Sequence, residues 1–96
     1  MRKQANVNEY YRKKENPVRR MTPIWKREGQ ELRRKRELLE LSQTTIGTQI
    51  GASASLISKL ELGHGVQRRE LLTKAYQTAL ELFLRKKQEH LLMMNM

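Results

Sequence analysis

Hydrophobic positions in the middle of the chain repeat at helical spacing, in two short runs. Ile46 and Ile50 lie four apart, and Leu56 or Ile57 with Leu60 repeats the same three-to-four step. Each run is punctuated at both ends. Ser42 precedes the first where an N-cap hydroxyl would accept a free amide, and Ser53 stands likewise before Ala54. Gly51 and Gly63 follow the runs, where a helix end often turns through positive φ. Caps, breakers and period together predict two amphipathic helices meeting across a tight turn between Leu41 and Gly63. That is a helix-turn-helix, whose second helix can lie in the major groove of DNA.

The flanking pattern extends the helical reading to an all-α chain. Gln30 to Glu40 predicts a further helix, with Leu32, Leu39 and the stems of Lys35 and Arg36 on one face. Arg33-Arg34-Lys35-Arg36 is the kind of run that usually forms a solvated face, and in a DNA-binding fold it could also serve phosphates. His64-Gly65-Val66-Gln67 reads as a loop. From Arg69 onward Leu71, Leu72, Ala75, Tyr76, Ala79, Leu80, Phe83 and Leu84 keep helical spacing, and Lys86-Lys87 and the apolar tail Leu91-Leu92-Met93-Met94-Asn95-Met96 follow.

Met1 to Arg27 is different in kind, with nine basic residues, two acids, and Pro17 and Pro23 interrupting any long helix. The chain thus divides into a partly ordered basic arm (1–27), a helix-turn-helix domain (28–85) and a C-terminal helical extension (86–96). Asn8 to Glu15 suits a brief helix, and Tyr10, Tyr11, Val18, Met21, Ile24 and Trp25 are too apolar for a wholly disordered tail. Two readings of the arm stay open. Arg12, Lys13, Lys14, Arg19 and Arg20 could track phosphates or enter a minor groove, or the arm is a solvated leader with Trp25 anchored on the domain.

Composition narrows the partners. Ninety-six residues supply one small core, and such cores often lean on a partner. Twenty Lys and Arg against ten acids, all of them Glu, leave a formal +10, which points to a polyanion, nucleic acid ahead of anionic lipid. The absence of cysteine excludes disulfides and thiolate metal sites and fits a reducing cytoplasm. No stretch approaches the roughly 20 apolar residues of a membrane span, and Met1-Arg2-Lys3 leads into no apolar signal core. The expectation is a cytoplasmic, nucleoid-associated protein with no membrane partner.

Catalysis finds no constellation. His64 and His90 stand 26 apart without metal-ligand spacing. Ser42, Ser53, Ser55 and Ser58 have cap or surface explanations and no histidine placed as a base, and Gly47 with Gly51 makes no phosphate loop. No enzymatic activity, cofactor or metal is expected.

Leu41-Ser42-Gln43, then Gly51, Ser53, Ile57, Glu61 and Gly63 at these offsets, resemble the phage repressor and Cro family, also called the xenobiotic-response-element class of bacterial regulators. The resemblance spans roughly Gln30 to Leu84. It implies a small five-helix repressor-like domain. It also implies roles: Ala54, Ser55 and Lys59, with Ser58, facing base edges; Gln43, Thr44, Ser53, His64, Gln67, Arg68 and Arg69 serving phosphates; and Arg36 paired with Glu61. Serine hydroxyls, a lysine and an alanine methyl are suited to such edges.

The sequence departs from the family pattern in places that have physical meaning. Glu40 stands where the family has Gly or Asn at a helix end that favours positive φ, so the first helix is expected to end differently. Thr45 replaces a capping-box Glu, and Gly47 replaces an Ala that packs the two helices, which invites a closer approach. No glycine-containing break separates Gln77 from Leu84, which points to one long terminal helix in place of two short ones.

The reading that follows is a sequence-specific regulator of double-stranded DNA, a repressor of phage or mobile-element type acting as a homodimer on a palindromic operator. Its dimer is expected on the terminal helix, with Leu80, Phe83 and Leu84 as anchors, Leu91 to Met96 as an extension, and higher oligomers open to the same surface. Competing readings are an antitoxin or accessory protein-interaction module, and a nonspecific nucleic-acid binder driven by the arm.

Overall fold

The computed structural model describes residues 22–95, which form four helices: α1 (Pro23–Leu38), α2 (Gln43–Ile50), α3 (Ala54–Leu62) and α4 (Arg69–Met94). Arg12, Lys13, Lys14, Arg19 and Arg20 of the arm, the brief helix over Asn8 to Glu15, and Met96 lie outside the described residues.

Helix α1 begins seven residues before the expected Gln30. Thr22 is its N-cap, the hydroxyl accepting the Trp25 amide at 3.0 Å, and Pro23 takes the first helical position. There its missing N–H is no loss and its fixed φ suits the helix. The proline read as an interruption is a start signal, and residues 23 to 27 belong to α1 and not to the arm.

The far end of α1 forms a Schellman closure. Leu41 N–H reaches the Arg36 carbonyl at 3.1 Å, Glu40 N–H reaches the Glu37 carbonyl at 3.0 Å, and Glu40 takes a φ of +59°. The helix therefore stops as a Gly or Asn would stop it, against the expectation of a different ending, and Glu40 bears the left-handed backbone.

The two central helices are capped as their sequence dictates. Ser42 accepts the Thr45 amide at 3.0 Å, and Ser53 accepts the Leu56 amide at 3.1 Å. Gly51 and Gly63 close them at φ +77° and +88°. In the capping-box position the Thr45 hydroxyl hydrogen-bonds the Ser42 hydroxyl at 2.8 Å. Gly47 allows a close approach that an alanine would obstruct: a Cβ there would overlap the Ala52 carbonyl, while the Ala52 amide donates to the Gly47 carbonyl at 2.8 Å. Gly29 does the same for α1, where a Cβ would overlap the Leu60 and Glu61 carbonyls at the end of α3.

The core joins Leu32 of α1, Ile46 of α2, Ile57 and Leu60 of α3, Val66 of the loop, and Tyr76, Ala79 and Leu80 of α4. Leu72 and Phe83 pack against its edge. Helix α4 runs 26 residues without a break, about 39 Å at 1.5 Å per residue. One long terminal helix thus stands where two short ones were implied, and the described residues hold four helices, not five.

Two glycine exchanges are expected to act in opposite directions. Glu40→Gly relieves a left-handed conformation that costs an L-residue roughly 1–2 kcal/mol, partly offset by the greater backbone freedom of unfolded glycine, and should raise stability by about 1 kcal/mol. Gly47→Ala should lower it despite alanine's better helix propensity of about 1 kcal/mol, because overpacking against backbone costs about 1–3 kcal/mol. Urea unfolding of both variants checks the signs.

Candidate nucleic-acid interface

The inner side of the helix-turn-helix is fixed by one carboxylate. Glu61, at the end of α3, is buried, and Arg36 of α1 approaches it twice, Nε donating to Oε2 at 2.7 Å and Nη2 to Oε1 at 3.1 Å. Gln43, the first residue of α2, donates from Nε2 to Oε1 at 3.0 Å. The Tyr76 hydroxyl of α4 donates to Oε2 at 2.5 Å. Arg36 has a further outlet, donating from Nη1 to the Leu41 carbonyl at 2.7 Å just past the closure of α1.

These donors decide the protonation of the site. Burial alone would raise the Glu61 carboxyl, but hydrogen bonds from Arg36, Tyr76 and Gln43, with the charge of Arg36, outweigh it and hold the pKa below the ordinary 4.5. Desolvation, then the hydrogen bond to Glu61, pushes the Tyr76 phenol well above its usual range. At neutral pH the site is therefore a carboxylate, a guanidinium and a neutral phenol.

With Ile57, Leu60 and Glu61 turned inward, α3 presents Ser55, Lys59 and Leu62 to solvent, with Ala54 and Ser58 half-buried beside them. Spacings of four and three put Ser55, Lys59 and Leu62 on one stripe. Leu62, 52% exposed, was not among the expected contact residues, although its place seven after Ser55 was readable. Thr44 and Ser53 are exposed at the first turn of α2 and the cap of α3, and neither helix has an acid in its first turn. Neither N-terminal dipole end therefore carries a carboxylate of its own helix.

Past α3, Gln67 and Arg68 are exposed, His64 is half-buried and Val66 drops into the core. Arg69 departs from the phosphate role expected of it. It is buried at 8% exposure, with Nη1 donating to the Leu60 and His64 carbonyls at 3.3 and 3.1 Å and Nη2 to the Trp25 carbonyl at 2.9 Å. Glu28 lies 3.6 Å away and the guanidinium stands 5.4 Å from the centre of the Trp25 ring. A cation on α3's last carbonyls is favoured by the helix dipole, so Arg69 is a clamp between α1, α3 and α4. Gln43 is likewise corrected in part: the amide expected at phosphate is held by Glu61.

The basic run of α1 is mostly neutralised within the described residues. Arg33 pairs with Glu37, Arg34 with Glu31 and Arg36 with Glu61, which leaves Lys35. Of the anchors expected for a dimer, Leu80 is buried at 6% exposure, Phe83 is half-buried against the edge of the core, and Leu84 is 45% exposed. No described helix is long and apolar enough to cross a membrane.

Comparisons with protein-family models, curated proteins and solved structures found no match.

Removing one partner of the buried pair should be costly. Arg36→Met leaves a desolvated carboxylate and should destabilise by about 3–5 kcal/mol, with strong coupling to Glu61→Gln in a double-mutant cycle. The sign of the pH effect follows from the depressed pKa. A carboxyl titrating lower in the folded chain stabilises it above the unfolded value of 4.5, and that contribution is lost as pH falls through the folded value. Urea midpoints should therefore drop below pH 4.5 in the wild type, and drop less steeply in Glu61→Gln.

Proposed function

We propose that the chain is a sequence-specific regulator of double-stranded DNA, a repressor binding a palindromic operator as a homodimer and carrying out no catalysis. The observation that carries this reading is the exposed stripe of α3. Two short helices are capped, turned and locked from behind by Glu61, leaving small polar side chains and a single cation, Lys59, facing outward on a helix that nothing among the described residues covers. Such a stripe fits a groove: Lys59 can donate to guanine N7 or O6, Ser55 to several bases, and the Ala54 methyl or Leu62 can touch a thymine methyl. Thr44, Ser53, Gln67 and Arg68 flank it as phosphate contacts, with His64 offering its backbone or ring.

Charge supports the same reading. Residues 1 to 21 hold seven of the 20 basic residues and two of the ten acids, so half of the +10 sits in the arm and half in the remainder of the chain. The helix-turn-helix supplies geometry with little charge of its own, and the arm supplies attraction for phosphate at sites of any sequence.

Selection from random DNA followed by footprinting tests the reading, and recovery of no preferred sequence would refute it. Lys59→Ala and Ser55→Ala should each alter the preference at fixed positions of a half-site by about 1–3 kcal/mol. Between ~50 and ~200 mM salt, affinity should fall by orders of magnitude, and deletion of residues 1–20 should weaken specific and random sites alike and flatten that slope. An unchanged sequence preference in both α3 variants would remove that helix from the groove.

A further inference from the structure

We propose that a second copy of this chain covers the apolar face made by the distal part of α4 and the groove at its base, with the two distal helices lying antiparallel. This deepens the homodimer of the functional reading and does not depend on DNA recognition. Past Phe83, the last residue of α4 packed on the core, residues 84–94 continue as helix for about 16 Å with no side chain buried. Leu84, Leu91, Leu92, Met93 and Met94 are 45% to 73% exposed, and no basic residue in the last turn offsets the helix dipole. A helical segment of this length without tertiary contact is marginal in water.

At the base of this tail lies a groove of about 530 Å³ between the end of α1 and α4, lined by Leu38, Leu39, Leu80 and Leu84, with Lys35, Gln77 and Glu81 around them. Leu38 is 66% exposed beside it. Leu84 belongs to both features, so one apolar surface runs from groove to tail.

The geometry selects a second copy. Leu84 and Leu91 are seven residues apart and share a helix face. The tail runs straight away from its own groove and cannot fill it. A partner tail running the opposite way brings its Leu91 against Leu84 and its Met94 toward Leu38, and the twofold axis repeats the contact at the other end, as an isologous interface requires. One face of the tail continues the groove, so a partner meets a single apolar surface that runs from Leu38 and Leu39 through Leu84 to Leu91.

The chain has no cysteine, which makes cross-linking clean. Full-length Leu38→Cys and Met94→Cys, mixed and oxidised, should form a covalent heterodimer well above the yield of either alone. In sedimentation the wild type should be dimeric at micromolar concentration, and Leu84→Asp and Leu91→Asp should each raise the dissociation constant at least tenfold, an effect of about 1.4 kcal/mol or more. Both positions are exposed, so the variants should keep the near-ultraviolet signature of Trp25 and Tyr76.

A monomeric wild type, a dimer indifferent to both aspartates, or a dimer that forms only once residues 1–20 are deleted would each overturn the proposal, the last by assigning the face to the chain's own N-terminal segment. Half-site selection by the aspartate variants separates the two readings: monomers that still choose one sequence keep the DNA assignment, and dimers that choose none lose it alone.

Discussion

Everything else in the molecule depends on the Glu61 carboxylate. An ionised carboxylate offers about four acceptor positions, and here they are taken by Arg36 Nε and Nη2, Gln43 Nε2 and the Tyr76 hydroxyl. Three donor residues, one each from α1, α2 and α4, converge on α3, and no acceptor capacity remains. Buried ion pairs seldom add net stability over well-packed apolar side chains. What these bonds add is direction. Apolar packing of Ile57 and Leu60 would tolerate some roll of α3 about its own axis, whereas four hydrogen bonds of 2.5 to 3.1 Å to one residue do not. The roll of α3 decides which side chains face outward, so the geometry of the exposed stripe is set from the inside.

Much of this was legible in the sequence, and the reason is locality. Ser42, Ser53, Gly51 and Gly63 act within a few residues of themselves, and the structure gives each the role that its position dictates. The Arg36–Glu61 pair spans 25 residues and was reachable only through resemblance. The bond from the Tyr76 hydroxyl went unread, and Arg69 was misjudged, because their deciding partners lie in other elements. Tyr76 sat in an apolar stripe with nothing to mark its hydroxyl as a donor to Glu61, and Arg69 is indistinguishable from its neighbour Arg68 until Trp25 and Leu60 arrive beside it. Gly29 looked like an ordinary helical glycine, and its reason is the backbone of α3 on top of it. Leu80 and Leu84 hold equivalent places in the periodic pattern, and only the packed fold separates a buried residue from a surface one.

The start of α1 teaches a different lesson. Pro23 was weighed by what it forbids inside a helix rather than by what it permits at the first position, and Thr22 before it went unused as a cap. Correcting that boundary moves Trp25 from arm to helix. There its ring and carbonyl meet Arg69, so the N-terminal turn of α1, the end of α3 and the start of α4 are tied at a second point, distant in sequence from the Glu61 cluster. Two anchors fix a rigid body better than one, and the short α2 and α3 are held between elements that cannot shift independently.

The unbroken α4 has a consequence of phase. Two helices joined by a turn can take up an inserted or lost residue in the turn, but a continuous helix rotates everything beyond the change by about 100° and displaces it by 1.5 Å. Tyr76, which binds Glu61, and Leu91, seated 15 residues further along the same helix, are therefore geared together: the direction in which the distal end faces is an angular readout of α3 itself. Residue count between Tyr76 and Leu91 is thus a structural parameter in its own right, and among chains with this arrangement substitutions there should be far better tolerated than changes of length.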